Sequence, residues 1–443
     1  MAGQILEYAT PSSLTHAGGV AALSLGTVGG SWAGDAAEPV FFDGVVERAG
    51  SLATAMLVLG RVAATRYYMP PGMLASRTLD PVFTSTPDGL RLEAFSACAG
   101  VYARFDLDAE AVDATSVTSG VTNVDFNEKM RSLLSSVAAG EPMQLSVASD
   151  GVTVSTLDGT STEARVALPE RWLRSFAESQ VIASGMSVRA EPDVMALRRL
   201  VRDLPRTTPT ASIGWVQPVS GGLRLASREA AGSIGLAGAE RLRIVEPLLP
   251  HVTSARVFGG TGPSSFWEFT TALGRFTLGL SPQKSRGFSG EGQLLEALSA
   301  SGIESDADLV ERRLHFEPRV DTGSIAADTA LTSERVTAAL TALAAHGLLG
   351  FDAHTGGWFH RPLPYDASLT EKLHPRLASA NALVDHVATN PDGSFTVNDY
   401  RVRVSEAGIA ADTCTCPWYG KHRGDRGPCK HVLAARMTQQ EAQ

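Results

Sequence analysis

The sequence predicts a multi-domain α+β protein. Its 443 residues exceed the size of one ordinary hydrophobic core. Along the chain, some stretches place apolar residues at every second position, as is typical of antiparallel strands, and other stretches place them at helical spacing. We therefore predict a mixed α+β domain at residues 1–205, a β-rich domain at 206–288, a domain with helices before a hairpin at 289–365 and a C-terminal module at 366–443.

The first region alternates between helical and strand patterns. Apolar residues at helical spacing predict a buried helix between Gly50 and Tyr68 and a second helix at 126–137. Turn sequences such as Pro87-Asp88-Gly89 separate the predicted antiparallel strands, which lie at 82–84, 90–94, 101–107, 143–147 and 152–154. This helix-then-hairpin order resembles a subunit of a sliding DNA clamp at the level of fold.

A basic amphipathic helix is predicted at 192–206. Its arginines either form a phosphate-binding stripe or are solvated and paired with Asp193 and Asp203; they are Arg198, Arg199, Arg202 and Arg206. Alternating patterns at 222–225, 242–245 and 276–280 predict the strands of the second domain.

Charge and cysteine content restrict the class of protein. The net charge of −9 and the pI near 5.6 argue against a protein that binds nucleic acid non-specifically over much of its surface. Any contact with nucleic acid must therefore be local. Of four cysteines, only Cys98 lies outside the C-terminal cluster, which argues against a disulfide framework and favours a reducing compartment. We find no pattern of a signal peptide or a membrane span, and we expect a cytoplasmic protein.

The third region combines helices with a hairpin. Helical patterns, the last capped by Thr332 or Ser333, precede two strands around residues 353–356. This order resembles a winged-helix domain. The candidate recognition helix offers Arg335 but otherwise Ala, Thr and Leu, which favours a structural or protein-binding role over DNA reading. Three hairpin residues leave a DNA-binding regulator as an alternative: His354, His360 and Arg361.

A further helix is predicted at 370–388, and it is expected to dock on a neighbouring domain. Its His374 and His386 are expected at the surface or in this interface, not as metal ligands. After it, alternation at 394–397 and 400–404 predicts a hairpin joined by Asn398-Asp399.

Four residues near the C-terminus form a predicted metal site. Cys414 and Cys416 are followed by twelve residues and then by Cys429 and His431. Three thiolates and one imidazole form a ligand set that structural zinc prefers, and four protein ligands leave no position for a catalytic water. Cys429 and His431 can reach one ion if a helix begins between or at them.

This module resembles the SWIM zinc finger, which has the pattern C-x-C, a variable gap and C-x-H in a strand–strand–helix arrangement. The resemblance implies that Cys414, Cys416, Cys429 and His431 bind Zn2+. It further implies binding of nucleic acid or proteins and no catalysis. Some bacterial SWIM proteins are encoded beside MoxR-type AAA+ ATPases, which makes such a system a candidate partner.

The segment between the cysteine pairs is basic and aromatic. Either it contacts nucleic acid or a partner, or its aromatic residues cover the zinc while its charges are solvated. The candidate contact residues are Trp418, Tyr419, Lys421, His422, Arg423 and Arg426, with Lys430 beside the ligand.

We therefore predict a zinc-binding adaptor or recognition protein that is not an enzyme. A winged-helix DNA-binding regulator is the first alternative. The second is an enzyme with an unrecognised site in the N-terminal half, where the sequence spacing reveals no catalytic triad or carboxylate pair.

Overall fold

A computed structural model describes residues 13–17, 20–24, 39–67, 81–168, 170–207, 213–220, 222–260, 262–282, 288, 294–295, 298–299, 302–363, 374–405, 409–424 and 426–441. The chain divides into a unit Met1–Pro39 and a unit Val40–Gln443. Within the first unit, β1 (Ser13–Ala17) and β2 (Val20–Ser24) form an antiparallel hairpin.

The second unit begins with a five-stranded antiparallel sheet. Its strand order is β11-β10-β9-β3-β7. The strands are β3 (Val40–Val46), β7 (Asp113–Val117), β9 (Met143–Ala148), β10 (Gly151–Thr156) and β11 (Gly159–Ala164). Two helices belong to the same part of the chain: α1 (Gly50–Ala64) and α2 (Glu128–Ser136). Both helices lie where helical spacing predicts them.

An eight-stranded sheet joins distant parts of the chain in the order β12-β16-β17-β18-β6-β5-β4-β8. Its first half comprises β4 (Val82–Thr86), β5 (Gly89–Phe95), β6 (Val101–Asp108) and β8 (Gly120–Asn123). Its second half comprises β12 (Ser187–Ala190), β16 (Ser254–Gly259), β17 (Ser265–Thr271) and β18 (Gly274–Leu280). The predicted boundary after residue 205 therefore falls between strands of one sheet, and the domain boundaries stay predictions.

The two halves meet where β18 pairs with β6, from Gly274 opposite Leu107 to Leu280 opposite Val101. Gly274 has a φ of +144°, and a Cβ there would lie 1.9 Å from the carbonyl oxygen of Asp106. Only glycine permits this close approach of two backbones. The pairing is central to the core, because the apolar residues of β5, β6, β17 and β18 are buried in one continuous cluster.

The region 170–251 contains α3 (Glu170–Ser184), α4 (Val194–Asp203), α5 (Ala239–Leu242) and the 3-10 helix Arg243–His251. A three-stranded sheet, in the order β14-β13-β15, comprises β13 (Ile213–Val219), β14 (Gly222–Ala226) and β15 (Ile234–Ala237).

The strand prediction for 242–245 was wrong. Pro247 and Pro250 follow closely and have no N–H for a sheet ladder, so this segment forms helical turns.

On α4, Asp193 caps the helix by accepting from the backbone N–H groups of Met195 and Ala196, so it does not serve as the predicted arginine partner. Arg202 does pair with Asp203, at 3.2 Å. Arg198 instead donates to the carbonyl oxygen of Leu249 at 2.8 Å.

Three helices and a hairpin follow, namely α6 (Ile303–Glu311), α7 (Thr322–Thr329), α8 (Ser333–Ala345), β19 (Leu349–Asp352) and β20 (Gly357–His360). Thr332 caps α8 by accepting from the N–H of Arg335. Helices α6 and α8 and the hairpin follow one another as the sequence indicates, but α7 was not predicted. A helix predicted from Leu294 lies largely outside the described residues, and membership of the winged-helix family stays a prediction. Among the described residues, no helix is long and apolar enough to cross a bilayer.

A buried ionic cluster attaches this hairpin to the eight-stranded sheet. Asp352, at the end of β19, pairs with Arg104 of β6 at 2.5 Å, and Arg275 of β18 lies 3.6 Å away. Asp106 pairs with Arg104 at 2.8 Å and with Arg91 at 2.5 Å. Burial opposes ionisation of Asp352, but the guanidiniums of Arg104, Arg91 and Arg275 outweigh it and hold the pKa of this carboxyl well below its usual range.

We expect Asp352→Asn to weaken the acid dependence of stability. A carboxyl whose folded pKa is depressed stabilises the fold above its unfolded pKa of about 3.9, and this contribution is lost as the pH falls towards the folded value. The free energy of unfolding of Asp352→Asn should therefore decline less steeply than that of wild type between about pH 5 and about pH 3. Urea titrations measure it, with exposed Asp158→Asn as control. Equal slopes for wild type and Asp352→Asn would contradict the prediction.

Candidate metal centre

The C-terminal module contains more elements than the predicted hairpin and helix. A four-stranded sheet, in the order β21-β22-β23-β24, comprises β21 (Val387–Thr389), β22 (Phe395–Val397), β23 (Tyr400–Arg403) and β24 (Thr413–Cys414). Its helices are α9 (Pro375–Asn381), α10 (Pro417–His422) and α11 (Lys430–Glu441). Helix α11 buries Val432 and Leu433 in the same apolar cluster as Val397 and Val402 of the sheet.

The helix predicted at 370–388 is shorter in the structure. Residues 370–373 lie outside the described part of the chain; α9 ends at Asn381, and a 3-10 helix, Val384–His386, leads into β21. The predicted single helix is therefore a seven-residue α-helix, a 3-10 turn and a short strand in the structure. His386 is exposed, but His374 is buried, and this burial lowers the pKa of His374 to about 4.

The chain geometry brings the four predicted ligands together. Cys414 ends β24, and Cys416 is the N-cap of α10, which Pro417 begins. Cys429 directly precedes α11, and His431 lies in its first turn, so the helix begins between them as predicted. All four are buried, and their ligand atoms lie within 4.8 Å of one another.

These distances fit a tetrahedral zinc ion. The Nδ1 atom of His431 lies 3.9 Å from the Sγ atoms of both Cys414 and Cys429. Zinc bonds of about 2.3 Å to sulfur and about 2.0 Å to nitrogen place neighbouring ligand atoms roughly 3.5–3.8 Å apart in a tetrahedron. The SWIM-type pattern and the Cys3His cluster imply a bound zinc ion that these four side chains would hold.

The pKa values of the three thiols favour the binding of a cation between them. The hydrogen bond from Cys414 lowers the pKa of Cys429 to about 5. The same bond, followed by burial, raises the pKa of Cys414 far above its usual range, and burial raises that of Cys416. Three thiolates cannot coexist in this space without a counter-charge. A divalent cation supplies that charge and displaces the remaining protons.

Neighbouring groups orient the ligands. The backbone N–H of Cys416 points at the Sγ of Cys414, and the N–H of Tyr419 at the Sγ of Cys416, both at 3.4 Å. The ring of Tyr400 lies 4.7 Å from that of His431. Donors to sulfur and a packed imidazole restrict the ligands to one arrangement.

An ion pair that could not be predicted from sequence connects α11 to Asp412, directly before the strand that carries Cys414. Arg436 donates to both carboxylate oxygens of Asp412, at 2.6 and 2.9 Å, and to the carbonyl oxygen of Ser405 at 3.0 Å. Asp412 also accepts from the N–H of Ser405 at 2.8 Å. The two halves of the ligand set are thereby held together by a bidentate contact.

A second missed residue, Arg376 of α9, holds the segment between the cysteine pairs. It donates to the carbonyl oxygens of Arg426 and Pro428, at 2.8 and 3.0 Å. Its guanidinium also lies 4.4 Å from the ring centre of Trp418, and the ring of Trp418 lies 4.8 Å from that of His422. No local motif marks Arg376, because its partners lie about fifty residues away in the chain.

The predicted contact residues divide into two groups. Trp418, Tyr419, His422 and Arg426 are half-buried, and the Tyr419 hydroxyl donates to the carbonyl oxygen of Asp412 at 2.7 Å. Lys421, Arg423 and Lys430 are exposed. The aromatic residues therefore belong to the framework of the module, and the exposed cations provide its surface.

Comparison with known proteins supports the same module. Residues 400–435 match the family model of the SWIM zinc finger. No match was found among the curated proteins. Among solved structures, a chain of the PCNA2-PCNA3 complex from Sulfolobus tokodaii aligns over 55% of this chain and 100% of its own, with 11% identity and a TM-score of 0.39.

Proposed function

We propose that this chain is a zinc-stabilised recognition protein whose C-terminal module binds a protein partner, and that it is not an enzyme. The observation that carries the proposal is the composition of the cluster, in which four buried protein ligands complete a tetrahedral set. Zinc with an open position activates water, whereas zinc with four protein ligands holds a fold. The zinc ion then holds the C-terminal module in the conformation that binds its partner.

The contacts of the aromatic residues favour protein over nucleic acid. Base stacking on a single strand requires an exposed aromatic face. Trp418 is stacked against Arg376, and Tyr419 is hydrogen-bonded to Asp412. Nucleic acid is the second candidate partner, because Lys421, Arg423 and Lys430 are exposed and could contact phosphates. A MoxR-type ATPase as the protein partner stays a prediction.

The contacts of the third region support a structural role there. Arg335, the main cation of the candidate recognition helix, makes a bidentate pair with Asp306 at 2.5 and 2.8 Å. In the hairpin, His354 contacts Glu268 at 2.9 Å, and Arg361 is fully buried beside Glu93. Side chains engaged in this way are poorly placed to read base edges.

The test compares full-length wild type with Cys429→Ala in a pull-down, with and without nuclease. We expect protein partners that survive nuclease with wild type and are lost with the variant. Loss of every wild-type partner on nuclease treatment would contradict the protein-binding proposal. The nucleic-acid candidate predicts instead that Lys421→Glu/Arg423→Glu abolishes salt-dependent oligonucleotide binding, while the exposed control Arg312→Glu/Arg313→Glu does not.

A further inference from the structure

An open groove lies between α4 and the β13–β14 hairpin, far along the chain from the zinc ligands. Its volume is about 320 Å³. Leu200 of α4, Leu204 directly after α4 and Leu223 of β14 contribute an apolar lining, and Arg199 and Arg224 contribute charge. Gly222 permits the hairpin to approach the helix, since a Cβ there would lie 3.1 Å from the Cβ of Ala196.

Two exposed apolar side chains line this groove. Val219 is 43% exposed and Leu225 37% exposed. They lie at the same groove as the apolar side chains of Leu200 and Leu223. Neighbouring exposed apolar residues at an open groove are typical of an interaction site, whereas single exposed apolar residues are ordinary.

The strand at the groove has an edge available for pairing. Among the described strands, β14 pairs only with β13, so it forms an edge of its sheet. Leu223 lies opposite Pro218, which has no N–H, so this pair does not exchange two hydrogen bonds. Because antiparallel pairs alternate, Leu223 and Leu225 direct their backbone N–H and C=O groups away from β13. These groups can bind an added strand.

The charge beside the groove selects for an acidic ligand. Arg199 is exposed and has no ion pair within the described residues, and Arg224 is held by the side-chain oxygen of Gln217 at 2.5 Å. Among the described residues of the lining, Asp203 is the one carboxylate, and it is paired with Arg202. The local charge is therefore positive on a chain with a net charge of −9.

We propose that this groove binds an extended acidic peptide with apolar residues at alternate positions, which adds to the edge of β14. Its carboxylates pair with Arg199 and Arg224, while its apolar side chains contact Leu200, Leu204 and Leu223. An apolar lining and a free strand edge suit a peptide better than a nucleic-acid backbone, which needs a continuous row of cations.

The test selects binders of the full-length protein from a displayed library of random peptides about twelve residues long. We expect enrichment of Asp or Glu alternating with Leu, Ile, Val or Phe. Fluorescence anisotropy then compares the enriched peptide on wild type, on Arg199→Glu/Arg224→Glu and on the matched control Arg312→Glu/Arg313→Glu. The groove variant should bind at least about tenfold more weakly, and the control should bind as wild type does.

A second measurement tests strand addition. The same peptide, N-methylated at alternate backbone positions, should lose binding because it cannot pair with β14. The proposal is overturned if the selected peptides are basic or uncharged, or if charge reversal at the groove leaves affinity unchanged. It is also overturned, in favour of nucleic acid, if no peptide is selected and Arg199→Glu/Arg224→Glu instead releases a bound single-stranded oligonucleotide.

Discussion

Replacing Cys429 with alanine is expected to reduce the bound zinc from one ion per chain to none. The side chain is one of four ligands, and its removal opens the tetrahedral set while leaving two thiols and an imidazole. Structural zinc sites of this type bind with an apparent free energy of about 10–16 kcal/mol, most of which also stabilises the fold around them. The module from β21 to α11 should therefore lose its defined packing along with the metal.

Metal analysis of the purified chain measures the first effect, and limited proteolysis measures the second. Cleavage is expected to concentrate at residues 387–441 of the variant and to spare the eight-stranded sheet, because the buried apolar residues of this segment belong to a cluster separate from the one that contains the sheet. Cys98→Ala is the matched control, since Cys98 is also buried and lies outside the cluster. Full zinc content in Cys429→Ala, or an equal loss in Cys98→Ala, would contradict the assignment of the ligands.

The ligands could be predicted from sequence because the signal is local. Cys414 and Cys416, like Cys429 and His431, are two residues apart, and their spacing alone limits which elements can present them to one ion. The residues that hold the site in place gave no such signal. Arg436 meets Asp412 across 24 positions of the chain, and Arg376 meets the carbonyl groups of residues 426 and 428.

The fold shows the same difference between local patterns, which the sequence reveals, and contacts between distant residues, which it does not. Helices α1 and α2 and the strands β4 to β6 follow from periodicity, whereas the pairing of β18 with β6 joins segments separated by more than 160 residues. Helix α3 was missed because several of its buried residues are polar, among them Ser175, Glu178, Ser179 and Gln180. Two of these polar residues have partners far away in the chain, because Glu178 accepts from the backbone N–H of Phe288 and Gln180 from that of Phe351 in the hairpin.

Arg361 is the clearest case of a residue whose role appears only in three dimensions. The hairpin position suggested a DNA contact, yet the side chain is fully buried and pairs with Glu93, 268 positions earlier in the chain. Glu93 also accepts from the hydroxyl of Tyr102 at 2.6 Å. The guanidinium lies 4.5 Å from the ring centre of Phe176 on α3, so one side chain connects the hairpin, the eight-stranded sheet and that helix.

Arg361→Met should consequently lower the free energy of unfolding by about 3–5 kcal/mol, because it leaves the buried carboxylate of Glu93 without its cation. Urea denaturation measures the loss, and exposed Arg312→Met should change stability by less than about 0.5 kcal/mol. The double variant Arg361→Met/Glu93→Gln should recover part of the loss, since the uncompensated charge is then absent. If Arg361→Met is as stable as wild type, the prediction that this buried ion pair stabilises the fold is contradicted.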